Sequence, residues 1–297
     1  MNHHNVVCFG EVLWDVLPSG AKPGGAPMNV AYHLHKSGMN PAMITRIGKD
    51  EWGSKLKTLL QQQGISTQYI QIDEAHQTGL VNATLKENNE VEYEIVYPVA
   101  WDFMEWREEL SVLVQNADYF VFGSLAARNN ISRKTLFRLL EEAKTKVLDI
   151  NLRPPHYEKA VLNDLLHQVD ILKLNEHEVK FISGWFNQYK DMEDQVKSVQ
   201  HEFSINTILI TKGSQGALLL QDEKFYHHPG FKVNVADTVG SGDAFLAGYL
   251  YRISKGNHPE QALTFANALG AFIATQNGAC PAYDLADVEE VMLLRKQ

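Results

Sequence analysis

Short apolar runs alternate with longer amphipathic stretches over most of the chain, and this alternation predicts a parallel sheet with helices packed on it. Beyond residue 100, four apolar runs have the length of buried parallel strands, at residues 118–122, 146–150, 170–174 and 207–210. Helical spacing marks the stretches between and after them, at residues 133–143, 157–166, 191–202, 244–254 and 259–275. The strand–helix–strand order predicts a doubly wound α/β fold.

The N-terminal residues follow this order with more interruptions. Residues 6–16 form an apolar run broken at Gly10, which predicts a first buried strand that leaves the sheet at a turn. Residues 18–27 hold three prolines and three glycines and predict a loop. Beyond this loop the pattern predicts a helix, a strand and a second helix, over residues 28–36, 42–47 and 51–63.

Residues 78–97 have the alternation of a two-stranded hairpin rather than of a buried parallel strand. Two β-rich runs, 80–85 and 91–97, flank the polar residues 86–90. One face of such a hairpin is apolar and the other polar, so we expect a lid. A second hairpin is predicted over residues 216–228. Since the sequence shows no linker or repeat, we expect a single domain over residues 1–297, with a β lid formed largely by about 78–97 and neighbouring segments.

Length and charge narrow the classes of partner. The 297 residues, 44% of them hydrophobic, are enough for one α/β core. A formal net charge of −9 disfavours nucleic acid or an anionic membrane as a partner, because both require a basic face. The charge does not disfavour a nucleotide, whose phosphates can be met locally by Mg²⁺, a lysine and backbone N–H groups.

Cysteine usage and hydropathy indicate the compartment. Cys8 and Cys280 provide no disulfide framework, so we expect two reduced thiols. No apolar stretch reaches the roughly 18 residues of a membrane span, and the first residues lack the pattern of a signal peptide. These features predict a cytoplasmic protein.

The run Asp-Thr-Val-Gly-Ser-Gly-Asp at residues 237–243 carries the strongest chemical signal. Its glycines bracket a small residue where a helix is predicted to begin, and the first N–H groups of a helix have no internal acceptor. Glycine lets this backbone approach a phosphate closely. A carboxylate here would repel phosphate, unless Asp243 serves as a base that takes a proton from an attacking hydroxyl. The simpler alternative, a helix cap, is disfavoured by the complete run.

Four motifs in order resemble those of the ribokinase-like sugar kinases, the PfkB family. Residues 237–243 resemble its C-terminal signature, and residues 24–31, Gly-Gly-Ala-Pro-Met-Asn-Val-Ala, resemble its N-terminal sugar-binding signature. Residues 175–178, Asn-Glu-His-Glu, resemble its Asn-x-x-Glu motif, and residues 211–213, Thr-Lys-Gly, its nucleotide-side strand end. The resemblance implies a three-layer α/β/α sandwich with a mainly parallel central sheet and a small β-sheet lid. It also implies transfer of the γ-phosphate of ATP to a sugar hydroxyl.

The resemblance assigns roles on the acceptor side residue by residue. Asp243 matches the family's catalytic base, and the anion hole that meets charge on the transferred phosphoryl group matches Gly240, Ser241 and Gly242. The positions that hold sugar hydroxyls match Asp15, Gly25 and Asn29. Taken singly, Asp15 has a simpler explanation as a turn residue and Asn29 as an exposed helix residue.

The resemblance also assigns roles on the nucleotide side. Asn175 and Glu178 match the pair that organises Mg²⁺ and its waters, although Glu178 alone would be explained as a first-turn acid. Thr211 and Gly213 match positions beside the nucleotide, and Asn267 falls where the family places a residue near the adenine. Asp237 resembles a ligand of a monovalent cation, which makes K⁺ a further candidate beside ATP and Mg²⁺.

Arg153, in Asp-Ile-Asn-Leu-Arg at residues 149–153, narrows the acceptor. It follows a predicted strand at the edge where α/β proteins bind ligands, and it could donate several hydrogen bonds to a sugar. Asn-Leu-Arg occurs both in fructokinase-like members and in those acting on 2-keto-3-deoxygluconate. Residues 24–29 and 122–126 look more like the fructokinases, so we prefer D-fructose. A kinase for 2-keto-3-deoxygluconate or another sugar, and a non-catalytic sugar or nucleotide sensor, remain the alternatives.

The edge of the predicted lid suggests an assembly. Lid hairpins of this kind often pair between subunits, which covers an otherwise exposed edge strand. We therefore expect a homodimer through the β lid, with a sugar and ATP as the small-molecule partners and with neither nucleic acid nor a membrane.

Overall fold

The computed structural model describes residues 5–17, 20–85, 91–186 and 188–294. In the N-terminal half the strands are Val6–Phe9 (β1), Leu13–Leu17 (β2), Gly20–Gly24 (β3), Pro41–Gly48 (β4), Ile70–Asp73 (β5), Gly79–Leu85 (β6), Val91–Ile95 (β7), Tyr119–Gly123 (β8) and Lys146–Asp149 (β9). The C-terminal half adds Ile171–Asn175 (β10), Thr207–Thr211 (β11), Ala217–Gln221 (β12) and Lys224–His228 (β13).

The α-helices lie mostly between these strands. They are Ala26–Lys36 (α1), Glu51–Gln62 (α2), Glu108–Asn116 (α3), Asn130–Leu140 (α4), Lys159–Leu166 (α5), Glu176–Ser183 (α6), Met192–Phe203 (α7), Ser241–Ser254 (α8), Pro259–Ala274 (α9) and Leu285–Leu293 (α10). None of the helices in the described ranges is both long and apolar enough to cross a lipid bilayer.

The main sheet has nine strands among the described residues, in the order β13-β12-β11-β10-β9-β8-β1-β4-β5. The strands from β11 to β5 are parallel, and β12 and β13 continue the sheet as an antiparallel hairpin. Parallel order places the carboxyl ends of β1, β8, β9, β10 and β11 at one edge of the sheet. The predicted mainly parallel α/β sheet is thus confirmed.

Side chains of β1 show how the three layers form. Val6 and Cys8 pack into the apolar cluster shared with α1, α2, α8, α9 and α10, whereas Val7 and Phe9 pack into the cluster shared with α3 to α7. A strand whose successive residues are all buried must have a layer on both faces. The central sheet therefore lies between two helical layers, as the predicted α/β/α sandwich requires.

A separate four-stranded sheet has the order β3-β2-β6-β7. β2 and β6 are parallel at its centre, and β3 and β7 form its edges. The predicted hairpin supplies only two of these strands, and its predicted polar loop, residues 86–90, lies outside the described residues. Trp14 of this sheet donates from Nε1 to the carbonyl oxygen of Trp52, 3.1 Å away, and so links the sheet to α2.

Near the N-terminus one local prediction is wrong, and another, the buried strand that leaves at Gly10, is confirmed but incomplete. Residues 18–27 were predicted to form a loop, but Gly20–Gly24 is β3 and α1 begins at Ala26. β3 is an edge strand. Pro23 can therefore lie in it, because its missing N–H group removes no hydrogen bond between inner strands. The run 6–16 is two strands rather than one, because the chain passes from the main sheet to the small sheet between Phe9 and Leu13.

Candidate active site

Asp243 lies in the first turn of α8 and faces α1. The helix begins at Ser241, one turn earlier than predicted, after Gly240 takes a left-handed conformation with φ of 78°. No side chain caps this helix, so Asp243 is not an ordinary cap. Its Oδ2 instead accepts a hydrogen bond from Nδ2 of Asn29, at 2.8 Å. Two predicted site residues, 214 positions apart, are thereby brought into contact.

Backbone N–H groups at the start of α8 are only partly used within the protein. Ser241 donates its N–H to the carbonyl oxygen of Thr238, and Ala244 donates to that of Gly240. Between them, the N–H groups of Gly242 and Asp243 have no acceptor in the described ranges. These two donors, at the positive end of the helix, can receive an anion. Ser241 contributes a different group, a buried hydroxyl without a described hydrogen-bond partner.

A buried lysine lies beneath this loop. Nζ of Lys173 donates to Oδ2 of Asp149 at 2.6 Å, and the two residues pair directly on neighbouring strands β10 and β9. A Cβ placed on Gly242 would lie 3.2 Å from Nζ of Lys173, so the absence of a side chain there lets the loop approach the lysine. The second oxygen of Asp149, Oδ1, is buried without a hydrogen-bond partner.

Burial and neighbouring charges set the protonation of Asp243 and Lys173. Burial raises the pKa of Asp243 to about 6, the charge of Asp149 adds to the rise, and Lys173 and the hydrogen bond from Asn29 oppose it. Burial alone would lower the pKa of Lys173, but the neighbouring carboxylates raise it above its ordinary value. The lysine is therefore charged at neutral pH, while Asp243 is mostly a carboxylate that can accept a proton.

The acceptor side is completed by residues after β1 and from β2. Asp15 lies half-buried on β2, and burial raises its pKa while the charge of Arg153 lowers it. Glu11 accepts a hydrogen bond from the N–H of Ala26 at 3.2 Å, and its second oxygen is buried without a partner. Burial raises the pKa of Glu11 to about 7. A Cβ on Gly25 would overlap the carbonyl oxygen of Glu11, which explains the glycine at the start of α1.

Arg153 is exposed, and within the described ranges its side chain donates only to the carbonyl oxygen of Leu152, at 3.2 Å. Its charge acts on Glu11, Asp15 and Asp243. One guanidinium whose charge acts on three carboxylates lies on the same side of the molecule as all three. Most of its donors remain available to a ligand.

A C-terminal segment, residues 279–283, joins α1 to the start of α8. Cys280 donates from Sγ to Oδ1 of Asn29 at 3.3 Å, and the amide of Asn29 is thereby oriented with its nitrogen toward Asp243. His33, fully buried, donates from Nε2 to the carbonyl oxygen of Ala279 and accepts at Nδ1 from the hydroxyl of Tyr283. Ala279 also packs against Gly240, where a Cβ would lie 2.6 Å from that of Ala279.

The predicted nucleotide-side pair forms a capping box at the start of α6. Oδ1 of Asn175 accepts from the N–H groups of His177 and Glu178, at 2.9 and 3.0 Å. The carboxylate of Glu178 accepts from the N–H groups of Asn175 and Leu152, both at 2.8 Å. Each oxygen of a carboxylate has a second lone pair, so these bonds leave room for a metal-bound water but give the pair a structural task of its own.

The remaining predicted nucleotide-side residues lie later in the chain, at the end of β11 and in α9. Thr211 pairs with Asn175 across β11 and β10, and Gly213 follows it with φ of 55°. Asn267 is buried in α9 and donates to the carbonyl oxygen of Leu263 at 2.8 Å. The described contacts of Asn267 thus lie within its own helix.

Asp237 ties the beginning of the signature to the segment that precedes Ala279. Its carboxylate accepts from the N–H groups of Val239, at 3.0 Å, and Gly278, at 3.1 Å. Among the described residues, no cluster of three or more histidine, cysteine or acidic side chains is arranged to hold a metal. A monovalent cation here would depend on backbone carbonyls beside Asp237.

Sequence reasoning missed four residues of the site: Glu11, Asp149, Lys173 and Cys280. Lys173 gave the clearest available signal, since a charge within the apolar run 171–174 requires a buried partner. Asp149 was visible only as the first residue of the run ending at Arg153. The contact of Cys280 with Asn29 joins residues 251 positions apart and left no local signal.

Comparison with known proteins indicates the family to which the chain is similar. A model of the pfkB family of carbohydrate kinases matches residues 5–285. Fructokinase-1 of Zea mays is 31% identical over 98% of this chain and 98% of its own length. The fructokinase of Salmonella typhimurium is 29% identical over 92% of this chain and 94% of its own.

A solved structure shares the fold over nearly the whole chain. It is a double mutant of fructokinase from Vibrio cholerae O395 in a form with bound fructose, ADP and potassium ion. Its TM-score is 0.84 at 25% sequence identity, with 98% of each chain covered.

Proposed function

The chain belongs to the pfkB family of carbohydrate kinases, and from that membership we propose that it transfers the γ-phosphate of MgATP to a hydroxyl of D-fructose. Phosphotransfer to a carbohydrate follows from the family. The choice of fructose and the role of each residue are the proposal.

The observation that carries the proposal is the placement of Asp243. Its carboxylate is held by Asn29 at 2.8 Å, beside two backbone N–H groups without described acceptors. A pKa raised to about 6 leaves it deprotonated at neutral pH yet basic enough to take a proton. In the proposed reaction Asp243 removes the hydroxyl proton as the oxygen attacks phosphorus in line, and ADP leaves. The N–H groups of Gly242 and Asp243 stabilise charge on the transferred phosphoryl group.

Fructose is supported by the acceptor side and by the relatives. Asp15, Asn29 and Arg153 supply acceptors and donors of the kind that hydroxyl groups require, and Gly25 supplies backbone. The relatives at about 30% identity are named fructokinases. Arg153 would also suit the carboxylate of 2-keto-3-deoxygluconate, so that sugar acid is the nearest alternative.

Magnesium would be held here through its waters, because no cluster of three acidic side chains among the described residues is arranged to bind it directly. The charges of Asp149, Asp243 and Glu178 all act on Lys173, and Oδ1 of Asp149 is buried without a partner. Asn175 and Glu178 would hold the ion through its water shell, with Thr211, Gly213 and Asn267 along the nucleotide. When bound, Mg²⁺ supplies positive charge to the phosphate oxygens.

A monovalent cation, a lid and a second subunit complete the proposal. Asp237 and nearby carbonyls would hold K⁺, the ion bound in the Vibrio cholerae fructokinase structure. The small sheet of β2, β3, β6 and β7 would act as the lid of a single domain and pair with a second copy in a homodimer. We also retain the expectation of a cytoplasmic enzyme.

A sugar panel tests the proposal. The purified protein is assayed for ADP release with MgATP and, in turn, D-fructose, 2-keto-3-deoxygluconate, D-ribose and D-glucose. We expect the highest kcat/KM with D-fructose, and mass spectrometry of the product identifies a fructose monophosphate. The Asp243→Ala variant serves as the blank for ATPase contamination.

Two results would redirect the assignment. Faster turnover of 2-keto-3-deoxygluconate than of fructose would favour the sugar acid. Thermal stabilisation by sugar or nucleotide without ADP release from any sugar would favour a sensor.

A further inference from the structure

A cavity lined by both polar and apolar side chains lies outside the residues assigned to phosphotransfer. It has a volume of about 160 Å³ and lies between Tyr97, the turn at Ser124 to Arg128, and the loop that follows Arg153. Its polar lining consists of Tyr97, Ser124, Arg128, Arg133, His156 and Tyr157, with Glu158 at the rim. One water needs roughly 10–15 Å³ of such volume, so the cavity has room for a small metabolite.

Arg128 lines this cavity with a guanidinium that the protein holds in place. Its side chain is only 3% exposed, and its Nε and Nη2 bind the fully buried carboxylate of Asp102 at 2.7 and 2.8 Å. The guanidinium lies 3.9 Å from the ring centroid of Trp101 and 5.0 Å from that of Tyr97. Its remaining nitrogen, Nη1, is buried without a hydrogen-bond partner. A buried guanidinium nitrogen without an acceptor is costly and therefore uncommon in proteins.

A second arginine is held beside the first. Nε of Arg133 donates to the carbonyl oxygen of Ala127 at 2.7 Å, and its Nη2 lies 3.3 Å from a carboxylate oxygen of Glu158. Glu158 is 70% exposed and can turn to solvent at little cost, whereas the partner of Arg128 is buried. Withdrawal of Glu158 would leave one positive charge at the cavity.

We propose that this cavity binds a small oxyanion, a carboxylate or phosphate group carried by a metabolite of about monosaccharide size. The anion accepts hydrogen bonds from Arg133 in place of Glu158, and the hydroxyls of Tyr97, Ser124 and Tyr157 bind the rest of the molecule. Arginine suits this task because its nitrogens donate in a fixed plane that matches carboxylate and phosphate oxygens. The site shares no lining residue with the phosphotransfer site, and its occupancy does not depend on the identity of the sugar acceptor.

The test is calorimetric titration of the full-length protein with two probes, inorganic phosphate and D-gluconate, at constant ionic strength. Three proteins are compared: the unmodified chain, Arg133→Gln, and Arg107→Gln as a control with the same change at an exposed arginine outside the cavity. We expect Arg133→Gln to weaken binding of at least one probe about tenfold or more, the usual effect of removing one charged hydrogen bond. The Arg107→Gln protein should bind like the unmodified chain. All three proteins keep the Gly240–Asp243 loop, so phosphate bound there cancels in the comparison.

The outcomes separate the proposal from a water-filled cavity. Phosphate binding alone would identify a phosphate ester as the ligand class, and gluconate binding alone would identify a hydroxycarboxylate. Equal affinities in the two arginine variants, or no binding of either probe at millimolar concentration, would overturn the proposal. If Arg133→Gln does not fold by circular dichroism, His156→Ala, which removes a half-buried donor from the lining, must weaken binding in its place.

Discussion

The two sides of the phosphotransfer cleft differ in how many of their buried polar atoms form hydrogen bonds within the protein. On the proposed nucleotide side, Asn175 and Glu178 satisfy four backbone N–H groups, and Asn267 is bonded within its own helix. Beneath and before Asp243, by contrast, oxygens of Glu11, Asp149 and Ser241 are buried without partners.

Whether polar atoms are hydrogen-bonded within the protein distinguishes structural residues from ligand-binding residues better than motif membership does. Both sides carry family motifs, and both are ordered by charged or amide side chains. Buried polar atoms without partners destabilise a fold, so their concentration on one side indicates a ligand or reacting group there. Satisfied atoms on the proposed nucleotide side show that Asn175 and Glu178 hold the backbone at the start of α6 in shape.

The strongest test of the comparison is Asp243→Ala. We expect kcat to fall by about 10²–10⁴-fold, the usual contribution of a general base, because no other described carboxylate accepts from Asn29. Steady-state ADP release measures the loss, and circular dichroism checks that the fold is retained. Turnover within a few-fold of the unmodified chain would show that the two sides do not differ as we infer.

Lys173→Met should give the largest loss of stability. The substitution leaves Asp149 buried without its counter-ion, and breaking such a pair costs about 3–5 kcal/mol in the free energy of unfolding. Urea denaturation followed by tryptophan fluorescence measures this change. The control is Lys49→Met, at an exposed ion pair with Glu74, which should leave the midpoint nearly unchanged. Equal midpoints for both variants would contradict the role assigned to Lys173.

The pH profile should report the raised pKa of Asp243. A base acts only when deprotonated, so kcat/KM should fall about tenfold per pH unit below a midpoint near the pKa of about 6. Glu11, with a pKa of about 7, is the other group that could cause this acidic limb of the pH profile. A limb that persists in Glu11→Gln assigns the titration to Asp243, and a limb that disappears in that variant assigns it to Glu11.

The smallest effect is expected at Asn175, where two variants distinguish a role in helix capping from a role in phosphate binding. Asn175→Ala loses the cap of α6 and should cost about 1 kcal/mol of stability. Asn175→Asp keeps both acceptor bonds, so its thermal midpoint should stay close to that of the unmodified chain. If phosphates lie nearby, the added charge raises the KM for MgATP by about fivefold or more. An unchanged KM would place the phosphates elsewhere.

The fold could be predicted from sequence wherever a pattern is local and repetitive. Strands β8 to β11, helices α7 to α9 and the hairpin of β12 and β13 fall within a few residues of their expected positions. The short helix α6 and the edge strand β3 were missed. Eight residues that follow a strand directly give little periodicity, and glycine and proline dominate the edge strand.

The site could be predicted only where motif residues carry it. Asp243 and Asn29 were named from sequence, and the structure brings them into contact. Lys173, Glu11 and Cys280 acquire their meaning from burial and from partners on distant segments, which sequence spacing does not encode. The cavity at Arg128 was missed for the same reason, since its lining comes from segments separated by dozens of residues.

The seam of residues 279–283 against α1 has a consequence for the order of events during synthesis. Asn29 is made 214 residues before its partner Asp243 and 251 before Cys280. At roughly 5–20 residues per second, about 10–50 s pass on the ribosome between the two ends of this contact. Helix α1 is therefore synthesised well before residues 279–283, which complete its hydrogen bonds. A chain ending before residue 279 would contain every described strand but would lack the hydrogen bonds of Cys280 and Tyr283 to α1.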